Sequence, residues 1–370
     1  MRPVIAVDAR YGLRYPRRGV GEYVYQVMKG LKDRDRPYDL ILYGDSSCDP
    51  TTVEEMRSWY TVEILAAPNF FLWEQVVWPR ASAKANLLHG TANIAPLWGS
   101  VPQILTIHDV IEWHRGRDFP SQIPWRHHLS RLYRMNALQK LAPRARGILT
   151  VSQHARGDIC DVLGVDAERV QVSPLAGKYP IQSEPKSEAE TSPPYLLTLG
   201  AIDPRKNLVD VLRAFGQVKR PGLVLRVVGV EEQGCAKLEA MVRNFGLEAS
   251  VEVQTMVSDS RLQELFGGAL AFLYLSRYEG FGLPLLEAMS QGCPVIYAKA
   301  SSLPEVAGEA GSGVDSQDGD AIAEEIRHLA DDPGYRLFQQ RAGLKRARDF
   351  SWDLTVEKTH EGYMRALEVR

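Results

Sequence analysis

Residues 276–296, SRYEGFGLPLLEAMSQGCPVI, constrain this chain more than any other stretch. Ahead of them runs ALAFLYL (269–275), a continuous apolar segment too short for a helix and suited to a strand buried on both faces of a parallel sheet. A strand therefore feeds the motif. Glu-Gly-Phe-Gly then makes a sharp turn, Pro284 falls near a first helical position, and LPLLEAMSQ is rich in helix formers until Gly292 and Pro294 stop it. PVIYA reads as the next buried strand.

A strand, a glycine turn and a helix N-terminus aim free backbone N–H groups and the positive end of a helix dipole at one point, where an anion is favoured. That point suits a diphosphate. Glu279 precedes the turn and Glu287 stands about a turn into the helix, so both carboxylates can face one crevice. Glu287 is placed to accept two hydrogen bonds from a ribose diol, as the acidic residue of a dinucleotide site does. Glu279 would hold hydroxyls of whatever hangs on the outer phosphate. The plainer reading is an ordinary α/β helix start with surface glutamates.

The spelling E-G-F-G-L-P-L-L-E, with two glutamates eight residues apart, resembles the signature of retaining nucleotide-sugar glycosyltransferases of the GT-B fold, in particular glycosyltransferase family 4. The resemblance implies an α/β chain of two Rossmann-like, doubly wound domains facing each other across a cleft. It also implies donor contacts at Gly280, Phe281, Gly282, Leu283 and Glu287.

At 370 residues, about two domains are expected. Residues 178–194, KYPIQSEPKSEAETSPP, lack periodicity and are rich in Pro, Ser, Glu and Lys. The expected division is a first, acceptor-binding domain over 1–178, a linker over 179–194 and a nucleotide-sugar domain over 195–351. Family resemblance adds a closing helix near 352–370 that crosses back onto the first domain, making the domains discontinuous and giving closure a hinge.

Cys48, Cys160, Cys235 and Cys293 are scattered without CxxC or His spacing, so neither a zinc site nor a disulfide framework is indicated. A cytoplasmic compartment is expected, with no signal peptide and no membrane span. Residues 1–178 hold 23 Lys and Arg against 18 Asp and Glu, a balance of about +5 that leaves about −7 for the rest. Six of seven tryptophans (59, 73, 78, 98, 113 and 125) share this basic half. It could meet the anionic cytoplasmic face of an inner membrane or a lipid-phosphate acceptor, or simply carry core tryptophans and solvated arginines. Nucleic acid is not an expected partner.

In chain order, PVIAVDA (3–9) reads as the first strand, followed by a loop with Arg10, Arg14, Arg17 and Arg18, then Gly19-Val20-Gly21 and the periodic helix YVYQVMKGLK. Gly19 and Gly21 would let backbone approach the diphosphate, with Tyr23 on the first helical turn, although a lone GxG is equally a tight turn. Family members carry a glycine loop here, often G-I-G-R-Y. NFFLWEQVVWPRAS (69–82) has aromatics at near-helical spacing, which favours a helix packed on a sheet. QILTIHD (103–109) ends as a strand at His108 and Asp109, and ligands of open α/β sheets bind at strand carboxyl ends. Similar members have a His-Asp pair whose His reaches the transferred sugar. Residues 123–146, with Arg126 and Arg131, read as a strongly cationic helix able to grip an acceptor's phosphate or merely to be solvated.

In the second half, YLLTLG ends at Gly200, and Pro-Arg-Lys-Asn opens a helix. Arg205 and Lys206 there suit a diphosphate that gains negative charge as its sugar leaves. Many family members carry Arg or Lys right after the glycine, where this chain has Ala201, so Arg205 is expected to replace that charge. LVLRVVG ends at Gly229, where base and ribose contacts are expected, with the base beside Val257.

The reaction implied is transfer of a hexose, with retained configuration, from a nucleotide sugar to a glycan or lipid-linked glycan, with His108, Arg205, Lys206 and Glu279 as catalytic residues. No metal or cofactor is expected, since no DxD pair supplies a metal-ligand set. D-A-R near the start and G-V-G-E-Y look like bacterial mannosyltransferases of O-antigen and surface-polysaccharide synthesis. GDP-mannose is the first-choice donor, with GDP-rhamnose and UDP-glucose as alternatives. An epimerase of related fold and a non-catalytic nucleotide-sugar binder are the rival classes. Acceptor contacts are expected at Arg10, Tyr23, Asp109, Arg126 and Arg131; oligomeric state and linkage are not encoded in these patterns.

Overall fold

A computed structural model describes residues 2–114, 125–185, 193–200 and 203–368, without the side chains of 125–128. Two compact units emerge, one within 2–114, 125–175 and 351–368, the other within 176–350. Each is built on one all-parallel sheet.

In the first unit, β1 (Val4–Asp8), β2 (Asp39–Gly44), β3 (Thr61–Ile64), β4 (Leu87–Gly90), β5 (Gln103–Thr106), β6 (Gly147–Thr150) and β7 (Val170–Val172) pair in the order β3-β2-β1-β4-β5-β6-β7. In the second, β8 (Tyr195–Leu199), β9 (Val224–Val230), β10 (Val251–Thr255), β11 (Ala271–Tyr274), β12 (Val295–Ala298) and β13 (Ser312–Val314) pair in the order β10-β9-β8-β11-β12-β13. Strand order reverses between β1 and β4 and between β8 and β11, and these switch points are where open α/β sheets leave a crevice at strand carboxyl ends. The central strands are short apolar runs because helices cover both faces. Every residue of β11 and β12 is buried.

The closing helix Trp352–Glu368 belongs to the first unit. Its Val356 side chain fills the space beside Gly30 on the Gly19–Leu31 helix, Gly362 sits against Leu149 of β6, and the Tyr363 hydroxyl bonds His89 Nδ1 at 2.7 Å. A side chain at either glycine would collide with these neighbours, so the glycines set how closely the helix docks.

The aromatic stretch 69–82 is helical, but not evenly. Phe70–Leu72 and Trp78–Ala81 are α-helical, and Trp73–Val77 between them is a π turn. Pro79 has no N–H for the carbonyl of Gln75, which is reason enough for the local widening. Trp73 and Trp78 stack at 5.5 Å in the core, whereas Trp98 is 65% exposed. Of the cationic helix expected over 123–146, Trp125–Leu141 is helical, and residues 123 and 124 lie outside the described residues. The described start of the expected linker is bonded to the second unit. Gln182 N–H donates to Ser290 O at 2.9 Å, and Gln291 Nε2 donates to Pro180 O at 2.9 Å.

Candidate functional site

At the β8/β11 switch point the short 3₁₀ turn Pro204–Lys206 comes beside the segment after β11. Asp203 caps this turn, accepting the Arg205 N–H at 3.0 Å, and Asn207 leaves it at a φ of +56°. The Arg277 N–H donates to Arg205 O at 2.8 Å, which ties the two loops together. Lys206 Nζ then lies 2.6 Å from Glu279 Oε1 and 3.3 Å from the Tyr274 hydroxyl. Lys206 and Glu279 side chains keep 28% and 17% exposure, so a ligand can reach them.

The glycine turn is fixed by its own backbone and by two serines. Gly282 has a φ of +111° at the N-cap of the Leu283–Ser290 helix, and a Cβ there would meet Leu303 Cδ2 at 2.7 Å, so only glycine fits without strain. Glu279 N–H donates to Ser301 Oγ at 2.9 Å, and Ser302 Oγ–H reaches Glu279 O at 2.9 Å and Phe281 O at 2.6 Å. Phe281 is buried edge-to-face against Phe350 at 5.7 Å. Glu287, 8% exposed, lies one turn into the helix beside Gly177. Burial holds the Tyr274 phenol well above its ordinary range, and the charges of Glu279 and Glu287 push it the same way. Thus Lys206, Glu279, Gly280, Phe281, Gly282, Leu283 and Glu287 come together at one strand end. Gly200 follows β8 in the same region, Gly229 lies in β9 with a φ of +86°, and half-buried Val257 follows β10.

Arg205 stands in the same turn as Lys206, where its sequence position suggested. Its guanidinium is paired by Asp203, with Nε at 2.8 Å from Oδ2, and keeps 31% exposure. Ala201, where the departure from the family pattern falls, lies outside the described residues.

In the first unit, the expected acceptor residues divide. Arg10 is fully buried: Nε and Nη2 reach Asp8 at 2.9 and 2.7 Å, Nη2 reaches Glu74 at 2.9 Å, and Phe70 and Trp73 rings cover it at 4.3 and 3.8 Å. A cation sealed in this way holds the fold and cannot meet an acceptor. Tyr23 is likewise 1% exposed, its hydroxyl 3.0 Å from Thr106 Oγ1. Arg131 donates from Nε to Glu112 O at 2.8 Å, bracing a local turn. Asp109 stays partly exposed, with Oδ1 accepting the Ile111 N–H at 3.1 Å. The Arg126 side chain lies outside the described residues.

His108 sits beyond β5, 7% exposed, with Nε2 2.9 Å from Thr91 O and its ring edge-to-face with Tyr23 at 5.0 Å. Only a donor satisfies a carbonyl, so Nε2 carries the proton and Nδ1 is an acceptor. Burial pushes its pKa down to about 4, against a smaller opposing effect of the Thr91 bond, so the ring is neutral at physiological pH. Gly19 opens the Gly19–Leu31 helix, and a Cβ at Gly21 would strike Tyr11 O at 2.7 Å, which requires glycine for the loop to pass.

Sequence reasoning missed Tyr274, Asp203, Ser301 and Ser302. Tyr274 left one visible signal, being the only polar side chain in its apolar strand. The serines left none, since their role depends on a φ of +50° at Ser301 and on a loop brought from the next crossover. Among the described residues no cluster of three or more metal-ligating side chains occurs.

Residues 17–176 match the family described as Glycosyltransferase Family 4, and residues 181–346 match Glycosyl transferases group 1. The chain is 29% identical over 385 aligned residues to O-antigen chain mannosyltransferase B of Escherichia coli, covering 95% of this chain and 97% of that protein. It is 28% identical over 275 residues to the MMP alpha-(1->4)-mannosyltransferase of Mycolicibacterium hassiacum, covering 72% of this chain and 66% of that one. Among solved structures, sucrose-phosphate synthase from Thermosynechococcus elongatus superposes with a TM-score of 0.79 at 19% identity, covering 98% of each chain. Anabaena HepE in complex with UDP and glucose gives 0.75 at 17% identity, covering 98% of this chain and 100% of that one.

Proposed function

The chain belongs to the family 4 glycosyltransferases of GT-B fold, and from that premise we propose that it transfers mannose from GDP-mannose, with retained anomeric configuration, to a glycan or lipid-linked saccharide of a surface polysaccharide. The observation that carries the reading is the partly exposed Lys206–Glu279 pair at 2.6 Å, beside a glycine-opened helix N-terminus and Glu287. Mannose is favoured because full-length similarity runs to an O-antigen mannosyltransferase and a second relative also bears that activity in its name.

In this reading the transition state is oxocarbenium-like at the sugar and anionic at the leaving diphosphate. The Lys206 ammonium and the helix N-terminus at Gly282 stabilise that anion, which is the role a divalent ion would otherwise fill, so turnover should survive chelation. Arg205, held by Asp203 as Lys206 is by Glu279, adds its charge from the same turn. Glu279 orients sugar hydroxyls, Glu287 binds the ribose diol, and the departing phosphate oxygen accepts the acceptor's proton on the same face. His108 keeps an uncharged imidazole for a sugar hydroxyl. Proximity and orientation do the rest.

No helix among the described residues is long and apolar enough to cross a membrane. We place the protein in the cytoplasm, peripheral to the inner membrane, through a face of the first unit. Phe70, Phe71, Leu129 and Leu132 are 42–58% exposed there, and Phe71 packs on Tyr133 at 5.3 Å, joining the two helices that carry them. Lys140 on the second helix adds positive charge.

A thermal-shift panel of GDP, UDP, ADP and dTDP sugars tests the donor. GDP-mannose at about 100 times its dissociation constant should stabilise the binding unit by about 2.7 kcal/mol. A larger shift with a UDP sugar would overturn the donor assignment, and no shift with any sugar nucleotide would overturn the function. Glu287→Ala should weaken nucleotide affinity at least tenfold by calorimetry.

A further inference from the structure

Lys206 offers three N–H donors, and two of them are spoken for: Glu279 Oε1 at 2.6 Å and the Tyr274 hydroxyl at 3.3 Å. Tyr274 is the last residue of β11, 3% exposed, and its ring stacks on Phe272 at 5.4 Å with planes 22° apart. Phenylalanine would fill the same volume in this apolar strand. A buried hydroxyl is costly unless it bonds, so the oxygen needs a reason. Burial and the nearby carboxylates, Glu279 first among them, hold the phenol far above its ordinary range, so the hydroxyl keeps its proton and has Glu279 as the acid to offer it to. The hydroxyl therefore accepts from the ammonium and donates to the acid.

We propose that Tyr274 is a positioning residue for the transfer: its hydroxyl bridges Lys206 and Glu279, fixing the ammonium so that one N–H remains for a phosphate oxygen. This role rests on the glycosyl-transfer function proposed for the site. When the diphosphate draws on the ammonium, the phenol keeps its bond to Glu279 and the acid stays in register with the sugar. The role differs from donor binding, because the bridge fixes direction and adds no contact to the nucleotide.

The test uses the full chain, with Tyr274→Phe, Lys206→Ala and the double variant. The probe is whichever sugar nucleotide of the panel the wild type turns over with water as acceptor, followed by nucleoside diphosphate release. Active sites are counted by calorimetric titration with that nucleoside diphosphate. Tyr274→Phe should lower kcat per site about tenfold, the effect of one hydrogen bond to a charged group, and leave donor KM within about threefold. In the Lys206→Ala background it should change kcat less than about twofold, since the partner through which it acts is gone. An unchanged kcat per site, a rise confined to KM, or an independent loss in the double variant would overturn the role. If Lys206→Ala alone keeps wild-type turnover, or the wild type turns over no sugar nucleotide, the functional reading fails and the inference with it. An inactive Lys206→Ala beside a fully active Tyr274→Phe sinks Tyr274 only.

Discussion

At the carboxyl end of β1, one guanidinium and two carboxylates are sealed from water, with Arg10, Asp8 and Glu74 all at 0% exposure. At the carboxyl ends of β8 and β11, an ammonium and a carboxylate of similar separation keep 28% and 17%. In sequence the two look alike, each a cation shortly after an apolar strand. The first is roofed by Phe70 and Trp73, and among the described residues the second has no ring contact to its cation beyond Tyr274. What separates a structural ion cluster from an accessible one is thus the cover supplied by distant residues. In the first, a single positive charge serves two acids. Asp8 takes the bidentate bond, and burial pushes Glu74 up to about 7.

The comparison can be broken most directly at Arg10. Arg10→Ala leaves two buried carboxylates without their cation and should cost about 3–5 kcal/mol, seen as an early urea transition in tryptophan fluorescence. A midpoint matching wild type would mean the cluster is dispensable. Lys206→Ala should do the opposite, lowering turnover by about two to three orders of magnitude. Its unfolding free energy should move by less than about 1 kcal/mol, because the pair is partly solvated.

Two smaller effects come from titration in the first unit. Burial lowers His89 to about 3 and His108 to about 4, from an ordinary 6.5. Between about 4 and 6.5 the unfolded chain binds more protons than the folded one, so stability is present above 6.5 and lost as pH falls through this window. His89→Gln should lower Tm at neutral pH, where the bonds to Tyr363 and Thr106 are disturbed, and make the acid decline shallower. A decline of unchanged slope would exclude His89 as a contributor. Glu74 has the reverse sign. With its folded value raised to about 7 from 4.5, protonation favours the fold, and its contribution fades as pH rises through that range. Glu74→Gln should therefore gain on wild type, by about 1.4 kcal/mol, between pH 6 and pH 9. A gain on acidification instead would reverse the assignment.

Fold class was legible because buried parallel strands must be apolar throughout, and the glycine turns at their carboxyl ends mark where each helix begins. The β11 to β12 segment shows this: its strand, turn, helix and next strand lie where composition places them, since each rule there is local. The aromatic stretch at 69–82 was read only as helical, although Pro79, which leaves the Gln75 carbonyl without an N–H, was a local signal for the π turn ahead of it. Arg10 and Tyr23 read as ligands of an acceptor and are core residues.

By itself the amino-acid order determined residue types at fixed spacing: a diphosphate-ready turn, two acids eight residues apart and a cation-bearing loop. Tertiary structure alone decided which charges stay within reach of solvent. Spacing along a chain sets covalent distance, whereas exposure depends on side chains that arrive from other crossovers. Phe70 and Trp73 close over Arg10, while Tyr274, Ser301 and Ser302 gather around Lys206 and Glu279 and leave them open.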